Sequence, residues 1–240
     1  MNKTLIMVGL GISISLLPTL ASAKKVYSPI VTQGEVEVET QSEVFRSKNP
    51  AENGKQKHQL ELSYGISDSW HSGVYVVYEK KPGQSMRYTQ SKWANIIQLT
   101  EQGKYWVDMG VYAEYIRYES SLRKADVLEL KVLFERPVKQ WKHTLNLVFK
   151  RALWGINQST VNLGYAWRSR YKTDMGLEAG IEAYGSLGTN KQVLLTQRQL
   201  MGPVIEYTFN DTVEVNAGWL MSSKEGPAYG DFKLNMEVKF

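Results

Sequence analysis

The chain has 240 residues, 29 Lys and Arg against 24 Asp and Glu, a formal charge of +5, and no cysteine. So mild an excess, with no basic block, argues against nucleic acid as a partner. Without cysteine there can be no disulfide framework, thiol nucleophile or thiolate metal site.

Residues 1–23 read as a removable export signal. Lys3 supplies a positive start, Leu5 to Leu17 form an apolar stretch, and Pro18 then Ala21-Ser22-Ala23 give the small-x-small pattern that signal peptidase requires. The stretch is shorter than the roughly 20 residues of a membrane-spanning helix. No cysteine follows Ala23, so no lipoprotein anchor is expected, and the folded domain should cover 24–240.

Beyond residue 23 the dominant pattern is alternation with period 2, the mark of a strand with two unlike faces. The first predicted strand, 34–47, alternates Val36 and Val38 with Glu35, Glu37 and Glu39. Strands follow over 55–67, 70–80, 85–100, 105–119 and 124–136. The last of these sets Leu128, Leu130, Val132 and Phe134 against Glu129, Lys131 and Glu135. Six more are predicted over 140–152, 158–170, 173–185, 192–210, 213–222 and 229–240, where Leu234, Met236, Val238 and Phe240 oppose Lys233, Asn235, Glu237 and Lys239.

Alternation fits a soluble sandwich or a membrane barrel, and three features select the barrel. Most predicted strands reach the roughly 9–11 residues a tilted strand needs to cross a bilayer. Their number is even, as in bacterial barrels, and connections alternate between short turns and longer loops richer in Gly, Pro and Asn. Finally, aromatic residues cluster near strand ends, where amphipathic rings favour the headgroup boundary: Trp70, Trp106, Trp141, Trp154, Trp167, Tyr171 and Phe240 are the expected interface residues. The expected fold is an all-β, antiparallel, up-and-down transmembrane barrel of about twelve strands, in contact with outer-membrane lipid.

Several segments resemble a largely uncharacterised group of proteobacterial outer-membrane proteins. They are Val26-Tyr27-Ser28-Pro29-Ile30-Val31 with Gly34-Glu35, then Tyr64 to Trp70, Glu182 to Gly188, Gly202-Pro203-Val204 and the closing strand. The resemblance implies a transporter-like barrel, similar to outer-membrane proteins of aromatic-degradation operons, but carries no substrate. A last strand ending in Phe240 also looks like the signal read by barrel-assembly machinery.

The polar face of the strands supplies the candidate lumen: Glu35, Glu37, Glu39, Glu61, Asp108, Glu114, Glu129, Lys131, Arg168, Glu178, Glu182, Glu214, Lys233 and Lys239. On closure Lys239 should approach Glu35 or Glu37, Lys233 should lie toward Glu43, and Arg168 should fall near Glu178. The acidic surplus predicts cation preference if the lumen is open. The alternative is a lumen filled by its own ion pairs, giving a non-conducting structural or surface-interaction barrel, although no long loop is expected to fold inward. A third reading, lipid hydrolysis, needs a serine beside a histidine. His58, His71 and His143 have none at the second following position on their own strands; the nearest candidate is Ser159 for His143. No metal spacing appears, and no catalytic residue or cofactor is expected. A monomer passing an unidentified small solute is the leading expectation.

Overall fold

The structure, a computed structural model, describes residues 24–155, 158–193 and 198–240. The expected export signal lies outside these. Twelve long strands form one sheet: β1 (Val36–Arg46), β2 (Gln56–Ser67), β3 (Trp70–Lys80), β4 (Arg87–Gln98), β5 (Asp108–Tyr118), β6 (Val127–Val138), β7 (Trp141–Ala152), β8 (Val161–Lys172), β9 (Leu177–Thr189), β11 (Gln199–Phe209), β12 (Val213–Ser222) and β13 (Gly226–Lys239). Between β9 and β11, β10 (Gln192–Val193) is a two-residue arm folded back on Gly188 and Thr189. The continuous strand expected over 192–210 therefore starts only at Gln199. A single-turn 3-10 helix, Ser120–Leu122, interrupts one loop.

Each long strand pairs antiparallel with its sequence neighbours, and β1 pairs with β13 from Glu37↔Lys239 to Arg46↔Gly230. The sheet closes on itself, which removes the unpaired edges that could not survive in lipid. At the end that holds Val36 and Lys239, here the base, the connections are 68–69, 99–107, 139–140, 173–176 and 210–212. At the rim they are 47–55, 81–86, 119–126, 153–160, 190–198 and 223–225. The base turns are mostly tighter; 99–107 is the exception. The turn expected at Tyr171-Lys172 sits two residues later, because both residues remain in β8.

The barrel is apolar outside and polar within. Along β2, Leu60, Leu62, Tyr64 and Ile66 are exposed, while Lys57, Gln59, Glu61 and Ser63 between them are buried. β13 does the same, exposing Phe232, Leu234 and Met236 and burying Asp231, Lys233, Asn235 and Glu237. In water such a surface would forfeit about 25 cal/mol for each Å² of apolar area left exposed. In a bilayer it is the stable arrangement.

Residues 24–34 fold inward, which the sequence pattern did not predict. The segment joins no strand ladder. It is seated between the walls where two glycines omit a Cβ: one on Gly65 would lie 1.9 Å from Thr32 O, and one on Gly110 would lie 2.9 Å from Pro29 Cβ. Gly34 takes φ +81°, open to glycine at little cost, and turns the chain from the lumen into β1.

Candidate functional site in the lumen

The lumen is built around this inward segment. Its side chains alternate as in a strand. Val26 packs with Ala166, Tyr184, Leu200, Val204 and Leu220 on one wall, and Tyr27 packs with Tyr75, Ala94, Tyr112 and Leu133 on the opposite one. Side chains, rather than a ladder, satisfy its backbone. Tyr27 N–H donates to Asn146 Oδ1 (2.8 Å), Asn146 Nδ2 donates back to Tyr27 O (2.9 Å), and Val31 N–H donates to Gln98 Oε1 (2.8 Å).

Two lysines lead the segment into the acid-rich seam between β1 and β13. Lys24 Nζ lies 3.1 Å from Glu43 Oε2 and also pairs with Asp231, while its backbone N–H donates to Glu43 Oε1 at 2.8 Å. Lys25 Nζ lies 2.5 Å from Glu39 and 3.1 Å from Glu237. Space remains on both sides. A small gap of about 20 Å³ touches Lys25, Arg168, Glu206, Asn216 and Lys233; one of about 30 Å³ touches Lys25, Tyr27, Glu61, His71 and Tyr75, each room for one or two waters.

Ion pairs fill most of what the segment leaves. Lys233 Nζ lies 2.6 Å from Glu182, which also accepts from Tyr184 OH (2.5 Å). Glu129 pairs with Lys131 at 3.0 Å and with Lys150. Lys92 lies 3.5 Å from Glu114, and Lys131 Nζ lies 4.0 Å from the Tyr27 ring and 4.1 Å from that of Tyr112. Lys239 lies 3.6 Å from Glu35 and 3.7 Å from Glu37 at the base. Carboxylates outnumber cations among the buried side chains of the described residues.

The sequence-derived lumen residues divide by depth. Glu39, Glu61, Asp108, Glu114, Glu129, Lys131, Glu182 and Lys233 are buried, whereas Glu35, Glu37, Arg168, Glu178, Glu214 and Lys239 are partly exposed. Two expectations change. Arg168 stands opposite Glu182 and reaches Glu206 at 3.6 Å; it is Arg170 that takes Glu178, at 3.2 Å, because the β8–β9 turn falls later than expected. Asp108 accepts the Gly103 N–H (2.7 Å), so it ties down the 99–107 loop. Lys233 is the register partner of Glu43, yet its ammonium is spent on Glu182.

Glu43, Asp231, Glu237 and Arg170 were missed as site residues, although each sits on the same alternating face of its strand as one that was named; Glu206 was missed on β11, a strand from which no residue was named. Lys24 and Lys25 carried no such signal. Among the interface aromatics, Trp70, Trp141 and Tyr171 are exposed on strands at the base, with Trp141 and Tyr171 in edge contact at 5.4 Å. Trp167 is half-buried on the outer face of β8. Trp106 and Trp154 lie in connections, at 75% and 52% exposure, and Phe240 at 75% caps the last strand.

On the outer face, two histidines meet serines from neighbouring strands. His143 Nδ1 lies 2.9 Å from Ser169 Oγ; Ser159 instead meets Lys191. His58 Nδ1 lies 2.9 Å from Ser42 Oγ, with Gln56 Oε1 at 3.5 Å from Nε2, long for a hydrogen bond. At the rim, Ser47 Oγ donates to Glu225 (2.6 Å), the Lys48 N–H adds another bond (2.8 Å), and Arg198 reaches both Glu225 (3.5 Å) and Asp231 (3.3 Å). The Ser47 hydrogen bond is the main reason the Glu225 carboxyl is held below its ordinary range. Among the described residues no group of three or more His, Cys, Asp or Glu side chains is placed to hold a metal ion.

No known family description and no characterised protein matches the sequence. Solved structures do match the fold. The KdgM porin superposes with a TM-score of 0.60 at 7% identity, over 85% of this chain and 99% of that one. This is the fold of a porin-like outer-membrane barrel. The KdgM porin in complex with disordered oligogalacturonate gives 0.58 at 7%, over 86% and 99%. Omp33 of Acinetobacter baumannii covers 87% of this chain at 14% identity with a TM-score of 0.46.

Proposed function

We propose that the protein is an outer-membrane, porin-like channel for small solutes, exported by removal of residues 1–23 and held closed by its own segment 24–34. One observation carries this reading: a chain segment whose backbone bond to the wall strands is at its root, Gly34 N–H to Gly65 O, occupies the lumen, anchored by Lys24 and Lys25 on buried carboxylates. Such a segment can leave without breaking the barrel, since every strand keeps both neighbours. The base would face the periplasm and the rim the outside, and export would pass through barrel-assembly machinery reading the strand that ends at Phe240. The acidic surplus supports cations as the preferred solutes, whereas the ligand in the KdgM complex, an oligogalacturonate, is anionic. The likeness to outer-membrane proteins of aromatic-degradation operons stands within the same proposal and names no solute.

The test is planar-bilayer conductance of the protein against Lys24→Gln/Lys25→Gln, with folding checked by heat-dependent gel mobility. The unsubstituted protein should be mostly silent and the double variant should open in discrete, cation-selective steps. Two folded barrels that are equally silent would reject the removable plug and leave a purely structural barrel.

The Ser42–His58 contact favours a second reading, hydrolysis of a lipid ester on the outer face near the rim. Labelling of Ser42 by a fluorophosphonate, lost in His58→Ala, would support it; an unlabelled serine would end it.

A further inference from the structure

One transverse row of the seam is made of glutamates alone. In the register, Glu61 of β2 stands opposite Glu39 of β1, Glu39 opposite Glu237 of β13, and Glu237 opposite Glu214 of β12. Like charges placed directly opposite destabilise a sheet. Here the penalty is repeated across four strands about 4.8 Å apart. Lys25 bridges only the middle two, and Lys239 assists Glu237 from the base side at 3.3 Å. Among the described residues no cation lies within 4 Å of Glu61 or Glu214. Glu61 is 6% exposed, has a carboxylate oxygen without a hydrogen-bond partner, and lines the small gap of about 30 Å³ beside Lys25.

A second acid site, Glu43 with Asp231, lies above this row. Glu39 and Glu43 are four residues apart on β1, a rise of about 13 Å. One extended dipeptide spans both sites because successive side chains point apart. An aromatic face of the wall accompanies the upper site, with the Phe45 ring 5.1 Å from Lys24 Nζ. A row this extended suits a chain of charges better than one metal ion.

We propose that the glutamate row and the Glu43–Asp231 site above it bind a linear oligoammonium chain, of the polyamine or lysine-peptide class, and that Lys24-Lys25 is a built-in stand-in for it. This rests on the removable plug argued above and adds the class of solute. An arriving oligocation takes over the carboxylates that the lysines hold, so that displacement of the plug and entry of the solute are one exchange of ammonium groups. The unpartnered oxygen of Glu61, and Glu214, which no described cation reaches within 4 Å, favour the longer chain of charges over the two lysines.

The test is titration calorimetry of the full chain in detergent, with spermidine as one probe and the peptide Lys-Lys-Val-Tyr as the other. Lys24→Gln/Lys25→Gln should bind the matching probe about tenfold or more tightly than the unsubstituted protein, whose own lysines compete. Adding Glu39→Gln and Glu61→Gln should remove that gain. Preference between the two probes separates a free polyamine from a basic peptide. Equal binding by the double variant and the unsubstituted protein, or indifference to Glu61→Gln, overturns the proposal. This readout does not depend on conductance, so a silent barrel that still binds spermidine would reject the gating reading alone. Should the double variant not fold, hydrogen exchange of residues 24–31 in the unsubstituted protein decides: spermidine should accelerate it saturably, and no change overturns the proposal.

Discussion

Replacing Glu182 by Gln tests whether the lumen is held by paired charge. Glu182 is 0% exposed and Lys233 1%, their charged atoms are 2.6 Å apart, and Tyr184 donates to the same carboxylate oxygen that faces Lys233. Solvent screens neither partner. Removing one member of such a pair costs about 3–5 kcal/mol, because the other is left buried and uncompensated, whereas removing both can be nearly neutral. Glu182→Gln and Lys233→Met should each lower stability by about that amount, and the double variant by clearly less than the sum. Urea unfolding of the barrel in detergent micelles, followed by loss of the heat-modifiable band, gives the three values of the cycle. Additivity within about 0.5 kcal/mol would refute the argument, since it would mean the two side chains do not depend on each other. Lys233 also donates to Lys24 O at 3.3 Å. Lys233→Met should therefore raise channel opening as well, and Glu182→Gln should raise it less.

Asn146→Ala removes two hydrogen bonds to the Tyr27 backbone, worth about 0.5–1.5 kcal/mol each; plug opening in the bilayer should rise about tenfold while the unfolding midpoint of the barrel barely moves. If the exported chain begins at Lys24, its α-ammonium takes the place of the backbone N–H now bonded to Glu43; acetylating it should increase conductance, and unchanged gating would exclude a role for that group. At the rim, the depressed carboxyl of Glu225 adds stability above its ordinary range that is lost as pH falls through the lower value in the folded protein. Ser47→Ala should bring that loss to higher pH, read as an upward shift in the carboxyl titration of Glu225 by NMR.

The barrel itself was legible in the sequence because a strand has a fixed period of two. Once β13 alternates Leu234, Met236 and Val238 with Lys233, Asn235 and Glu237, its two faces are decided, and twelve such segments must close or leave edges unpaired. Boundaries blurred where the pattern did. The β8–β9 turn slid by two residues, exchanging Arg168 for Arg170 as the partner of Glu178. The serine–histidine pairs depended on cross-strand register: Ser159 was the candidate for His143, but the register sets Ser169 against His143 and Ser42 against His58. The plug was unreadable for a deeper reason. Residues 24–34 carry no periodic ladder, and their place depends on what remains empty when the barrel closes. Sequence alone fixed the alternation, and with it which residues face inward. Only the tertiary structure decided what those residues meet, because the glutamates of four separate strands, and the two lysines lying over them, come together only when β1 finds β13.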